Sequence, residues 1–440
     1  MRPSGRNAFQ NNKPDSAVCA ANDRTASDGS QAGCPRCRPR VQRSPQVTPA
    51  RRVAGTRSIL LGGRLMSAHS LTRRGLIRTA AVVPLSAASS SAANSAVSVG
   101  IVGLGGRGSS HARHIAGLPE ARLVSVAEIS DASIERAKER VSLDGVRLHK
   151  DLNEVLASDV DAVIIATPVY MHPDHFEAAI QAGKHIYIEK PAAADIEGAK
   201  RVMRLADAAP RHLNITFGFQ QRHGDVYHAA KKLLDSGEIG NVNLVHSHFL
   251  KSGMTGREPV RPKPTDPADR LAQWKRWRDT FGEIITETFC HSIDAMNWFV
   301  GAHPFKAIGT GGRAVMKYGD LLDHLNVAFD YPGNIQANLV GAYMCPPFYR
   351  EVYERYFCQD GVVETARGYW RFHRGRNDVL EEKSPHDITI DALQEFFGRI
   401  LEDKPANTGV RGAESTLTAL LGEMAIAHRA EVTWDQMMNA

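Results

Sequence analysis

Residues 97–108 constrain the fold more than any other stretch of the chain. Val97-Ser98-Val99-Gly100-Ile101-Val102 is a β-branched run of the kind that forms a buried parallel strand. It enters Gly103-Leu104-Gly105-Gly106-Arg107-Gly108, and a helical segment over 109–118 follows. Strand, G-x-G-x-x-G and helix in that order form the dinucleotide-binding fingerprint. Gly103 permits the tight turn, Gly105 lets backbone approach a pyrophosphate, and Gly108 allows helix and strand to pack closely. The phosphates then sit at the positive helix N-terminus, beside Gly106 and Arg107.

The surroundings strengthen the motif. A second strand over 122–127 ends in Glu128, 20 residues beyond Gly108. An acidic group there accepts hydrogen bonds from the adenosine ribose and repels a 2′-phosphate. The expected cofactor is therefore NAD, with NADP the second choice and Ser130 or Arg136 its phosphate contact. Val160–Ala166 reads as a further buried strand, closing on Thr167-Pro168. A helix over 173–182 leads to His185-Ile186-Tyr187-Ile188 and then Glu189-Lys190-Pro191. Strands alternating with helices to about residue 215 predict an α/β domain with a doubly wound parallel sheet.

Charge divides the chain at the same place. Residues 1–95 carry 15 Lys and Arg against 3 Asp and Glu, leaving 39 basic and 45 acidic residues for the body. The net charge of +6 thus belongs to the leader and gives no argument for nucleic acid. Residues 1–65, rich in Arg, Pro, Ser, Gln and Asn, read as disordered and as preceding the true start at Met66. Residues 66–96 read as an export signal. Thr72-Arg73-Arg74 precedes apolar Leu76-Ile77, and an uncharged Ala/Val/Ser run follows. This order resembles the twin-arginine signal, which exports folded proteins. The expected location is therefore periplasmic, or cytoplasmic without a working signal. Pro84 and many serines argue against a membrane anchor. The six cysteines form no framework, and Cys34-Pro35-Arg36-Cys37 lacks the second pair of a zinc site.

Gly103–Gly108, Ala166-Thr167-Pro168, Gly183-Lys184-His185 and Glu189-Lys190-Pro191 together resemble the glucose–fructose oxidoreductase, inositol dehydrogenase and MocA family. The likeness continues through Gly218-Phe219-Gln220-Gln221-Arg222, His291-Ser292-Ile293-Asp294 and Val432-Thr433-Trp434-Asp435. It implies a Rossmann domain over 97–215 and, over 216–440, an α+β domain with an open, mostly antiparallel sheet. That second domain would bind substrate and join subunits in a homo-oligomer. The family mostly oxidises or reduces sugars and polyols with NAD or NADP.

Removing a hydride from an alcohol carbon needs a base for the hydroxyl proton and positive charge near the developing alkoxide. Lys190 stands at a strand's C-terminal end, where ligands of doubly wound sheets bind, and the resemblance gives it a catalytic role. Glu287 and His291, at i and i+4, share a face if helical, with Asp294 a turn further. A histidine can titrate near neutrality, and a carboxylate partner can set its tautomer. The family pattern is Asp-x-x-x-His; here Glu287 replaces the aspartate, one methylene longer. Thr167, Pro168, His172 and Glu189 join the expected cofactor contacts, and Arg222 and Asp294 the substrate contacts. His172 and His175 lack a third ligand, so no metal is expected. Trp274, Trp277 and Trp298 read as packing rather than as a sugar platform. The leading reading is an NAD(P)-dependent oxidoreductase acting on a carbohydrate hydroxyl. The alternative is a glycosidase or lyase that oxidises, eliminates and returns the hydride with NAD regenerated in each cycle. A binding protein that has lost its chemistry fits less well with both Lys190 and His291 in place.

Overall fold

The computed structural model describes residues 96–253 and 259–440. The basic leader, with Arg73, Arg74, Cys34 and Cys37, lies outside the described residues. Six parallel strands form the first sheet: β1 (Val97–Val102), β2 (Ala121–Ala127), β3 (Arg147–His149), β4 (Ala162–Ile165), β5 (His185–Ile188) and β6 (Ile215–Phe217). Their order is β3-β2-β1-β4-β5-β6, so the chain reverses direction across the sheet between β1 and β4. Helices cover both faces of such a sheet, which is why its strands are continuous apolar runs. Val99, Ile101, Ile164, Ile165 and Ile186 are fully buried, each contributing about 1.5–3 kcal/mol of apolar burial.

The first sheet is not completed by its own segment alone. Helix Ile388–Leu401 returns to it, and Ala392, Leu393, Phe396 and Phe397 share a core with Val99, Ile101, Ile164 and Tyr187. Asn214 Nδ2 donates to Phe396 O at 3.0 Å, and the Ile215 amide donates to Ala406 O. The boundary expected at 215/216 therefore needs correction. β6 runs on to Phe217, and a late helix belongs to the first core. Its Phe396 and Phe397 need an apolar face, and the sheet needs a cover. Nothing in the local pattern says which of the chain's sheets supplies that face.

The second sheet has nine strands in the order β14-β13-β12-β11-β7-β10-β9-β8-β15. They are β7 (Leu244–Leu250), β8 (Lys306–Gly312), β9 (His324–Tyr331), β10 (Ile335–Ala342), β11 (Glu351–Phe357), β12 (Val362–Ala366), β13 (Tyr369–Gly375), β14 (Asp378–Lys383) and β15 (Val432–Thr433). Only the β7–β10 pair is parallel. The open, mostly antiparallel sheet expected for this half is thus present. Burial alternates along β9 and β10, so one face is packed and the other open. Helices Cys290–Val300 and Gly409–His428 lie on the packed face. Among the described residues no helix is long and apolar enough to cross a membrane.

Candidate active site

A cleft of about 1140 Å³ runs along the C-terminal ends of β1, β4 and β5. It starts at the glycine loop. Gly103 has φ +88°, and a Cβ there would lie 2.8 Å from Ala166 O. A Cβ on Gly108 would come within 1.9 Å of Gly103 O, so helix Gly106–Ile115 starts this close to β1 only with glycine. A Cβ on Gly105 or Gly106 would meet nothing within 4 Å, because these two face open space. The first-turn N–H groups of this helix are a ready anion site. Arg107 Nη2 lines the cleft as a buried donor without a protein partner. This cradle fits a dinucleotide pyrophosphate.

Glu128 follows β2 at the cleft edge. Its Oε2 accepts from the Leu104 amide at 2.7 Å and its Oε1 from the Ser130 amide at 2.8 Å. Each oxygen keeps a second lone pair for a ribose hydroxyl. Ser130 Oγ caps the next helix by accepting from the Ser133 amide, so the side chain proposed for a 2′-phosphate already has a role. Thr167 and Pro168 line the opposite wall after β4.

Two of the expected cofactor contacts hold the walls instead. Glu189 is buried, and its Oε1 accepts from Arg107 Nε and His111 Nε2, both at 2.7 Å. Burial pushes this carboxyl up, but Arg107 and His111 outweigh it and hold it well below the usual range. Glu189 thereby fixes Arg107 to the end of β5. His172 is buried between two carbonyls, with Nδ1 2.7 Å from Pro191 O and Nε2 3.0 Å from Thr167 O. Neither nitrogen remains for a cofactor; the ring ties the β4 loop to the β5 loop. His175 Nδ1 lies 3.0 Å from Thr167 Oγ1, and burial holds its ring down at about 4. Among the described residues no three His, Cys, Asp or Glu side chains converge as metal ligands.

Lys190, Glu287 and His291 line the same cleft. Lys190 Nζ donates to Glu287 Oε1 at 3.1 Å and to Glu287 O. Burial works against the ammonium, yet Glu287, Cys290 and Glu189 raise its pKa above the ordinary lysine value. Burial likewise opposes the Glu287 carboxylate, and Lys190 and Thr288 hold it below its ordinary value. Glu287 sits in a π-helical turn, Ile285–Phe289, that runs into helix Cys290–Val300. The regular i, i+4 face expected from spacing is therefore replaced by a wider turn, which presents the Glu287 carbonyl to Lys190. π-turns of this kind are frequent at functional sites.

His291 is buried, and its Nδ1 lies 3.2 Å from Gln221 Oε1. An amide oxygen there makes Nδ1 the protonated nitrogen and leaves Nε2 as the free base. Burial first, then Lys190, Arg367, Arg107 and Lys251, push the imidazole well below its usual value, so it is neutral. Gln221 thus stands where a carboxylate partner was expected, and Asp294, expected to contact substrate, is engaged elsewhere. It is fully buried and accepts from Arg222 Nε at 2.8 Å, Arg222 Nη2 at 2.9 Å and Ser415 Oγ at 2.7 Å. Arg222 lies over Trp298 and borders a separate cavity of about 210 Å³. The two residues expected to contact substrate pair with each other and neither lines the cleft. Trp277 is buried as expected, whereas Trp274 stands on the cleft wall against Phe281.

Sequence reasoning passed over Gln221, although its place beside Arg222 in a quoted motif was a signal. It also passed over Arg367, in the turn after β12, which lines the cleft with Lys190 and His291 and has no local motif.

Fold and cleft define a dinucleotide-binding protein whose cleft is completed by Glu287, His291 and Arg367 from beyond the first sheet. Residues 97–217 match the model of an "Oxidoreductase family, NAD-binding Rossmann fold", and residues 227–364 match the "GFO/IDH/MocA C-terminal domain". The two take in more than half of the chain, which belongs to the GFO/IDH/MocA family, and its first domain is an NAD-binding Rossmann domain. The chain is 30% identical over 233 residues to inositol 2-dehydrogenase of Rhizobium meliloti (strain 1021), covering 53% of this chain and 64% of that one. Inositol 2-dehydrogenase of Klebsiella pneumoniae (strain 342) is 29% identical over 46% of this chain and 54% of its own. The chain thus spans less than two thirds of these relatives. Among solved structures, levoglucosan dehydrogenase in complex with NADH and levoglucosan superposes with a TM-score of 0.67 at 17% identity, covering 77% of this chain and 100% of that one. Scyllo-inositol dehydrogenase from Lactobacillus casei with NAD(H) and scyllo-inositol gives 0.61 at 23% identity, over 77% and 99%. These likenesses establish the shared fold.

Proposed function

We propose that this chain is an NAD-dependent oxidoreductase acting on a CH–OH group of a sugar or polyol. The observation that carries the reading is the meeting of Lys190, Glu287 and His291 in the cleft that the glycine cradle also lines. His291 Nε2, neutral and unpaired, takes the proton of the substrate hydroxyl. The Lys190 ammonium donates to the same oxygen and stabilises its developing negative charge in a low-dielectric site. Glu287 keeps that ammonium charged and aimed, and Gln221 fixes the imidazole tautomer. Bound NAD supplies the acceptor for the hydride leaving the carbon. The names of the inositol and levoglucosan dehydrogenases support a ring polyol or sugar as substrate.

The test is Lys190→Met and His291→Asn, assayed with NAD and a panel of inositols and sugars. Each variant keeps NADH affinity within about twofold and loses about 10²–10⁴-fold in kcat, the usual contribution of a positioned acid or base. Losses under tenfold remove these residues from the mechanism. The basic segment at 66–96 supports export of the folded protein to the periplasm with its dinucleotide aboard. Fractionation of cells expressing an Arg73→Lys, Arg74→Lys variant tests that route, and undiminished periplasmic protein argues against it.

A further inference from the structure

Positive charge outnumbers the carboxylates that neutralise it at the substrate end of the cleft. Lys190 is matched by Glu287 at 3.1 Å, and Arg107 by Glu189 at 2.7 Å. Arg367 lines the same wall and has neither hydrogen bond nor ion pair among the described residues. Its near neighbours on the sheet are different: Arg355 and Arg371 both pair with Glu364. Lys251, following β7, also lacks a carboxylate partner among the described residues and rests on the rings of Phe249 and Tyr343. Its ammonium is pushed down to about 8. Burial is the largest cause; Glu287 opposes it, and Lys190, Arg350 and Arg367 add to it.

The pyrophosphate has its own donors in the first turn of helix Gly106–Ile115 and in Arg107. Arg367 on the cleft wall and Lys251, within electrostatic reach of Lys190 and Glu287, therefore remain without an ion-pair partner among the described residues. The Glu354 carboxyl that attracts Arg367 is itself pushed toward its neutral form by burial. A neutral polyol brings neither cation a counter-charge. A guanidinium is a rigid donor fork that matches a carboxylate or phosphate at two points. We infer that the substrate is a sugar or polyol bearing an oxyanion, and that Arg367 is the residue that selects it, with Lys251 adding attraction. This rests on the oxidoreductase reading for the hydroxyl chemistry, but the charge preference is measured separately.

The experiment is calorimetric titration of the NADH-loaded full chain with glucose, glucuronate and glucose 6-phosphate. At least one oxyanion sugar binds about tenfold or more tighter than glucose, and added KCl shrinks the difference. The tighter of the two identifies carboxylate or phosphate. Arg367→Gln reduces the oxyanion-to-glucose ratio about tenfold, and Arg367→Lys restores part of it, which a misfolded variant would not. Glucose binding within threefold of both oxyanion sugars overturns the inference. So does an Arg367→Gln variant that weakens NADH while the sugar ratio stays unchanged, because Arg367 then serves the dinucleotide. Hydride transfer is assayed with the same compounds. Turnover confined to neutral sugars overturns the inference and spares the oxidoreductase reading. Tight oxyanion binding without hydride transfer to NAD from any compound overturns that reading and spares the charge preference.

Discussion

Arg222→Ala separates the two roles open to the Arg222–Asp294 pair. Asp294 is fully buried and has three protein donors, two of them nitrogens of Arg222. Truncating the arginine leaves a buried carboxylate with one hydroxyl, which costs about 3–5 kcal/mol. Lost stacking on Trp298, 5.4 Å from the guanidinium, adds about 0.5–1 kcal/mol. With a urea m-value of about 3 kcal/mol/M, the unfolding midpoint falls by about 1.2–2 M. Asp294→Asn costs less, because the guanidinium left behind borders a cavity that water reaches. The assay is urea unfolding followed by tryptophan fluorescence, paired with NADH titration of the folded protein. A midpoint within about 0.3 M of the parent, joined to a raised KM for carbohydrate, would refute the structural assignment and return Arg222 to the substrate.

Glu128→Ser removes the acceptor for the ribose and admits a 2′-phosphate, so the ratio of NAD to NADP affinity falls about tenfold, the worth of one hydrogen bond to a charged group; an unchanged ratio in fluorescence titration removes Glu128 from cofactor selection. Glu354, buried and pushed up to about 7 by desolvation despite bonds from Ser292 and Thr365, binds a proton in the folded state that the unfolded state has released. Stability therefore declines as pH rises from about 4.5 to 7, and Glu354→Gln removes about 2–3 kcal/mol of that decline in unfolding titrations at pH 5 and 8; parallel pH profiles of parent and variant contradict this.

Those features written in contiguous residues were legible before any coordinates. β1, the glycine loop and Glu128 lie within 32 residues, and each has a local reason to be where it is. Lys190 was legible because a buried strand ends just before it, and Glu287 and His291 because four residues separate them. Pairings across the chain were not legible. Arg222 meets Asp294 72 residues on, and Arg107 meets Glu189 82 residues on. A charged side chain near a motif reads as a ligand contact until its own partner is visible. His172 shows the same limit: its place was foreseen, but the two carbonyls that engage its nitrogens come from the turns after β4 and β5. Helix Ile388–Leu401 is amphipathic in any reading, and only the three-dimensional structure says which sheet it covers.

The cleft drives apart the protonation equilibria of two adjacent groups, and this gives the acid–base assignment a measurable consequence. Burial and the charges of Lys190, Arg367, Arg107 and Lys251 push His291 well below its ordinary value. Glu287, Cys290 and Glu189 hold Lys190 above its ordinary value against the same burial. Groups displaced in opposite directions mark the base and the cation of a site. For alcohol oxidation, activity is lost at low pH when His291 gains its proton and at high pH when Lys190 loses its own. Glu287→Gln removes the strongest influence holding Lys190 up, so the alkaline limb of kcat/KM moves to lower pH. It also brings His291 no additional positive charge. Arg367→Gln removes a cation that depresses His291, so the acid limb moves to higher pH while Lys190 keeps its carboxylate partner. Profiles measured at saturating NAD should therefore narrow from opposite sides in the two variants. An unmoved alkaline limb in Glu287→Gln, or an acid limb that moves downward in Arg367→Gln, contradicts the assignment of base to His291 and cation to Lys190.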